Sequence, residues 1–148
     1  EFKPTHIYSS SLTRSKQTAQ IISNKCRISF TKKDLFDEQK SGKSISENAS
    51  RDGYIDFREE FEGGETYKLL YQRAINAFKW LKNKHKNSSE DRIVLITHGR
   101  FMTFLISIIL GFKPDGFNLA IENCSYIIVK ISNNWRPQLI LPTGGKYI

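Results

Sequence analysis

The sequence predicts an α/β fold: a three-layer sandwich with a mostly parallel central sheet and helices on both faces. Three observations predict it. Short apolar strands alternate with amphipathic helices along the chain. The run Arg92-Ile93-Val94-Leu95-Ile96-Thr97 is rich in branched residues and apolar on both faces, as a strand buried in a parallel sheet is. The length of 148 residues, with 39% hydrophobic and 26% charged side chains, fits one globular domain over residues 1–148.

The elements follow in order. His6-Ile7-Tyr8 reads as a short strand ending in Ser9-Ser10-Ser11, where a serine can cap the next helix. A helix is predicted from Leu12 to Ser23, with Ala19, Ile21 and Ile22 on its apolar face. Ile28 to Phe30 is a second strand. Lys32 to Gly64 is polar and glycine-containing, too long for a structureless loop, and reads as an insertion at the active site with short helices. The clearest helix runs from Thr66 to Lys84. Leu69, Leu70, Ala74, Ile75, Phe78 and Leu81 recur there at three- and four-residue intervals. A polar turn, Asn87 to Asp91, leads into the apolar strand, which His98-Gly99 ends. Phe101 to Leu110 is helical, and Tyr126 to Ile131 and Gln138 to Leu141 are late strands.

Composition narrows the function classes. The longest apolar stretch, Phe101 to Phe112, is interrupted and too short to span a bilayer, so no membrane partner is expected. Glu1-Phe2-Lys3-Pro4 lacks the basic flank and apolar block of a signal peptide. The formal net charge of +8 favours anionic partners, phosphorylated small molecules or nucleic acid. The basic cluster Lys82, Lys84, His85 and Lys86 reads as a solvated helix end, and no nucleic-acid-binding signature accompanies it. Cys26 and Cys124 are far apart with no ligand spacing, and read as free thiols of a reducing, cytoplasmic compartment. Asn48-Ala49-Ser50 and Asn87-Ser88-Ser89 match the short glycosylation pattern. Composition does not address the oligomeric state.

Three blocks carry chemistry. The first is Ile7-Tyr8-Ser9-Ser10-Ser11-Leu12-Thr13-Arg14, continuing to Thr18-Ala19. The second is Leu35-Phe36-Asp37-Glu38-Gln39-Lys40-Ser41-Gly42. The third is Val94-Leu95-Ile96-Thr97-His98-Gly99. In this order they resemble the histidine phosphatase superfamily, the phosphoglycerate mutase-like enzymes. Its pattern is a strand, Ser-x-Leu-x-Arg-x-x-x-Thr-Ala, Glu-x-x-x-Gly, and a strand ending in His-Gly. Gly63-Gly64-Glu65-Thr66, with Arg73 beyond it, is a minor fourth match.

The resemblance implies hydrolysis of a small-molecule phosphomonoester through a phosphohistidine, with no cofactor and no metal. Its catalytic residues here would be Arg14, Glu38 and His98, with Arg14, His98 and Gly99 binding substrate. Phosphoryl transfer needs positive charge and donors around the phosphoryl oxygens. Arg14 offers a planar fork of the matching shape. A cation disfavoured at a helix start suits anion binding better than a plain surface role. His98 ends an apolar strand, where open α/β sheets bind ligands, and Gly99 lets a ligand approach the backbone. Glu38 would protonate the leaving oxygen. Its neighbours Lys40 and Ser41 depart from the family's usual apolar residues, and Glu65 is the rival carboxylate. His6 and His85 are assigned structural roles.

The family's nucleophile lies in an Arg-His-Gly block. His98-Gly99, preceded by Thr97, is the sequence's one His-Gly. The domain is therefore read as lacking its first strand. A missing central strand would leave its neighbours' backbone groups unpaired, at about 1–3 kcal/mol each, which favours a fragment over a natural truncation. Two alternatives stay open: phosphoglycerate mutase-type transfer, for which Lys32 to Gly64 would be the substrate loop, and a catalytically inactive interaction module.

Overall fold

The structure, a computed structural model, describes residues 2–44, 60–113, 119, 121–131 and 137–140. Its elements are β1 (His6–Ser9), α1 (Thr13–Cys26), β2 (Phe30–Lys32), β3 (Lys43–Ser44), β4 (Phe61–Glu62), α2 (Tyr67–His85), β5 (Ile93–Ile96), α3 (Gly99–Leu110), β6 (Ile128–Ile131) and β7 (Pro137–Ile140). A single 3-10 turn, Asp34–Phe36, follows β2.

The principal sheet is parallel, in the order β2-β1-β5. Ile7 aligns with Phe30 on one side and Val94 on the other. The chain is therefore α/β with a parallel sheet and helices. Among the described strands β1 is central, and it pairs directly with both neighbours. The sheet interior has no gap of the kind a missing central strand would leave. Among the described strands, β2 and β5 are the edges of this sheet. Expected to be buried, β5 is only half-buried at all four positions.

Side chains alternate along β1. Tyr8 faces a core built from Phe36, Tyr67, Leu70, Ala74, Ala77, Phe101, Phe104 and Leu105. Its ring meets Trp80 edge-on at 5.2 Å, and Phe36 meets Phe101 at 6.4 Å. This core fixes α2 and α3 against the strand that leads to Ser9 and Ser10.

Two helical faces differ from expectation. The buried side of α1 is Ser15, Ala19 and Ser23, while Ile21 is 69% exposed. Small residues at four-residue spacing let the helix lie close to the sheet, which points Ile21 away. In α2 the buried residues are Tyr67, Leu70, Ala74, Ala77 and His85, and Leu69 is exposed. The first strand and first helix also join without a serine cap. Leu12 holds the cap position, and Ser10 Oγ accepts from its N–H at 3.3 Å. Thr66 does cap α2, accepting from Leu69 N–H at 3.2 Å. Helix α1 ends at Arg27, left-handed with φ 57°, and β2 begins two residues later than predicted.

The polar stretch after β2 is closed at its base by an antiparallel ribbon, Lys43 opposite Glu62 and Ser44 opposite Phe61. Residues 45–59, including the Asn48 pattern and any short helices of the predicted insertion, lie outside the described residues, as does Leu141. The late strands form an antiparallel hairpin, with Ile128 opposite Ile140. No helix among the described residues is long and apolar enough to cross a membrane. Cys26 and Cys124 form no disulfide.

Candidate active site

Arg14 and His98, 84 residues apart in sequence, meet where β1 and β5 end. Arg14 sits in the first turn of α1, and His98 occupies the N-cap position of α3, two residues after β5 ends. The Arg14 Nε–H donates to His98 Nδ1 at 3.1 Å. Arginine only donates, so Nδ1 holds the lone pair and the ring proton lies on Nε2. Nε2 lies 2.7 Å from Ser10 Oγ and 3.1 Å from Ser15 Oγ. His98 is buried, and desolvation together with the Arg14 charge lowers its pKa below the usual histidine value. Glu38 and Asp37 oppose that shift more weakly. Beyond Nε, the Arg14 guanidinium has no partner among the described residues, so its two terminal nitrogens are available to an anion.

Glu38 lies at the start of α3. Its carboxylate accepts from Phe101 N–H at 3.1 Å, Arg100 N–H at 3.3 Å and its neighbour Gln39 N–H at 3.0 Å. It satisfies first-turn donors that the helix itself cannot. Nothing among the described residues accepts the Gly99 N–H. A Cβ built on Gly99 would meet only Ile121 O, at 3.9 Å. An open cleft of about 460 Å³ borders Glu38, with the cations Lys40 and Arg100 on its wall.

The segment carrying Glu38 is fastened from behind. Arg73 forms a two-pronged ion pair with Glu65, Nε to Oε1 at 2.8 Å and Nη2 to Oε2 at 2.6 Å. The same guanidinium donates to the carbonyls of Leu35, Asp37 and Glu38. Glu65 also accepts from Lys40 N–H, and its carbonyl accepts from the Gln39 amide. Gly42 and Gly64 touch backbone to backbone. A Cβ on either would lie 2.6 Å from the other's Cα, so this crossing admits only glycine. The block ending in Gly42 and the block starting at Gly63 thus form one rigid unit. Asp37 ties this unit to the β1–α1 turn, accepting from Ser11 N–H at 2.6 Å and Ser11 Oγ at 2.7 Å.

The structure therefore brings Arg14 and His98 into contact, with Glu38 at the N-terminus of the helix that His98 caps. Glu65, the rival carboxylate, is committed to Arg73 rather than to a helix dipole. Ser10, Ser15, Asp37 and Arg100 belong to the assembly without having been singled out. Their types are common, and only the serine run beside Arg14 hinted at them.

The sequence profile described as "Histidine phosphatase superfamily (branch 1)" matches residues 1–140. The chain belongs to the histidine phosphatase superfamily. Phosphoglycerate mutase-like protein 4 of Arabidopsis thaliana is 35% identical over 112 residues, covering 67% of this chain and 47% of that protein. This histidine phosphatase chain thus spans about half the length of that curated relative. A solved structure titled mycobacterial hydrolase 1 superposes with a TM-score of 0.75 at 18% identity, covering 94% of this chain and 75% of that one. A mycobacterial glucosyl-3-phosphoglycerate phosphatase in complex with VO3 also gives 0.75, at 15% identity, covering 94% and 76%. At such identities these two likenesses speak for the fold alone.

Proposed function

We propose that the protein is a phosphatase that hydrolyses a small-molecule phosphomonoester through a phosphohistidine. The observation that carries this reading is the Arg14–His98 contact at the ends of β1 and β5. There a guanidinium whose two terminal nitrogens have no partner among the described residues and an imidazole with its proton on Nε2 stand side by side. Both are donors matched to the oxygens of a phosphoryl group. On this reading an arriving phosphoryl group takes over the Arg14 fork, and Nε2–H turns from the serines toward it. The Gly99 N–H adds a backbone donor at the helix terminus.

Glu38 is the proposed proton donor to the leaving oxygen, which would face the cleft between Lys40 and Arg100. Protonated, its carboxyl gives its proton to the departing alkoxide and returns to the α3 cap as carboxylate. The proposed nucleophile is a histidine of an Arg-His-Gly block preceding Glu1, on a strand that completes a three-layer sandwich. The half-burial of Ile93–Ile96 supports a further strand, since a strand apolar on both faces is suited to full cover. The compartment that fits two free thiols is the cytoplasm.

The N-terminally complete protein should exceed the 17.1 kDa of this chain by several kDa and hydrolyse phosphomonoesters without added metal. Acid-quenched turnover should trap a phosphoryl group with the acid lability and base stability of phosphohistidine. Turnover without such an adduct would overturn the mechanism. The kinship with a phosphoglycerate mutase-like protein favours mutase-type transfer as a second reading. That reading requires the phosphoryl group to return to a sugar acid rather than to water.

A further inference from the structure

A second constellation lies at the opposite end of the sheet from Arg14 and His98. His6 opens β1, His85 closes α2, and Asp91 stands just before β5. Each offers one ligand atom, and these atoms all lie within 4.8 Å of one another. This is the one such grouping of His, Cys, Asp and Glu among the described residues. His85 Nδ1 is 2.5 Å from Asp91 Oδ2, and His6 Nδ1 is 3.7 Å from Asp91 Oδ1. The two imidazoles meet edge-on at 4.7 Å between ring centroids.

We propose that His6, His85 and Asp91 form a binding site for a zinc-type divalent metal ion, separate from the phosphoryl-transfer site. Two imidazoles and one carboxylate are a donor set that zinc accepts, with the fourth position left to water. The site is partly assembled without metal. The His85 side chain is only 5% exposed and Asp91 18%, so burial fixes two of the three ligands. The His6 side chain is 39% exposed and provides the entry path.

An outer hydrogen bond is also in place. A metal-bound imidazole normally donates its other N–H to a fixed acceptor. His85 Nε2 lies 3.0 Å from the Tyr8 hydroxyl, which is buried under Trp80 and able to accept. On metal binding at Nδ1 the ring proton moves to Nε2 and points at Tyr8. Tetrahedral ligands at zinc distances stand roughly 3.3 Å apart. Asp91 turns a different oxygen to each imidazole, Oδ1 to His6 at 3.7 Å and Oδ2 to His85 at 2.5 Å, so the two histidines already flank one carboxylate that can face a shared ion. Asp91 lies at the end of the polar turn after α2. The bound ion would replace the hydrogen bond that joins α2 to β5 and add β1 to the same clamp.

The test is titration of this protein with zinc chloride alone, read by calorimetry and by thermal denaturation. One equivalent should bind, and Tm should rise with free zinc as linkage requires. His85→Ala removes a buried side chain and risks the fold, so the deciding variant is His6→Ala. Its folding is checked by an unchanged Tm without metal. It should weaken zinc binding by roughly tenfold or more and abolish the Tm rise, whereas Cys124→Ser should change neither. Absence of stoichiometric binding to the wild-type protein would overturn the proposal. So would binding that survives His6→Ala, or that disappears with Cys124→Ser. None of these outcomes depends on catalytic activity.

Discussion

The Arg14 Nε–H donates to His98 Nδ1 at 3.1 Å, and that one bond decides what both side chains can do. It fixes the imidazole as the neutral tautomer with its proton on Nε2. It uses only Nε of the guanidinium and leaves the two terminal nitrogens without a partner among the described residues. Both partners are thereby ready to donate to a third, anionic group.

Removing the fork should be costly. Arg14→Ala is expected to lower kcat/KM of the N-terminally complete protein by roughly 100-fold or more, the usual cost of losing a donor to transition-state charge. Because Arg14 is exposed and helix α1 is anchored by Ser15, Ala19 and Ser23, the variant should keep its Tm. Near-normal activity would mean the phosphoryl pocket lies elsewhere.

Leaving-group dependence tests Glu38. An alkyl alkoxide departs badly without a proton, whereas a nitrophenolate departs well. Glu38→Gln should lose on the order of 100- to 10,000-fold with alkyl phosphates and much less with nitrophenyl phosphate. Since Glu38 also holds the start of α3, the variant should lose about 0.5–2 kcal/mol of stability in urea denaturation. Equal losses on both substrates would assign Glu38 to the cap alone. With no loss on either, the acid role would pass to Glu65.

The glycine crossing behind Glu38 makes a stability prediction. Gly42→Ala would force a methyl to 2.6 Å from the Gly64 backbone, which cannot rotate away. Strain of this kind costs about 1–3 kcal/mol, visible as a lower Tm. Gly99→Ala, whose Cβ meets nothing closer than 3.9 Å, should leave Tm nearly unchanged and so serves as the control.

How much of this was legible in the sequence depended on the kind of interaction. That Arg14 and His98 come together was legible because each sits at a fixed place in a strand-end motif, and motif spacing survives into geometry. Glu38 was legible by its spacing to Gly42, but its three N–H donors come from its neighbour and from α3, 63 residues on. Asp37 was assigned no role, because its bonds to Ser11 exist only once the loops meet. His85 was misread as part of a solvated basic end, since Lys82, Lys84 and Lys86 surround it. Its position did carry a signal: Leu70, Ala74, Ala77, Leu81 and His85 continue one helical stripe. Burial there follows from that stripe, and the lysines point elsewhere. Ile21 and Leu69 failed in the opposite sense, because hydrophobicity was weighed above the close approach that small residues permit.

The buried neutral state of His98 predicts a pH dependence of stability. Its folded pKa is lowered, so below the unfolded value of about 6.5 the unfolded chain binds the extra proton more readily. The contribution is fully present above that pH and is lost as pH falls through the folded pKa. Unfolding free energy measured in urea should therefore decline on acidification below about pH 6.5, and the decline should be shallower in His98→Gln. Identical slopes in the two proteins would show that His98 is not the titrating group.

The central claim is that Arg14 and His98 together hold the phosphoryl group. The measurement that tests it most directly is a crystal structure of the N-terminally complete protein soaked with vanadate. The account predicts the vanadate oxygens within hydrogen-bond distance of both the Arg14 guanidinium and His98 Nε2, with the Arg14–His98 bond broken or rotated. Vanadate bound elsewhere, with that bond intact, would contradict it.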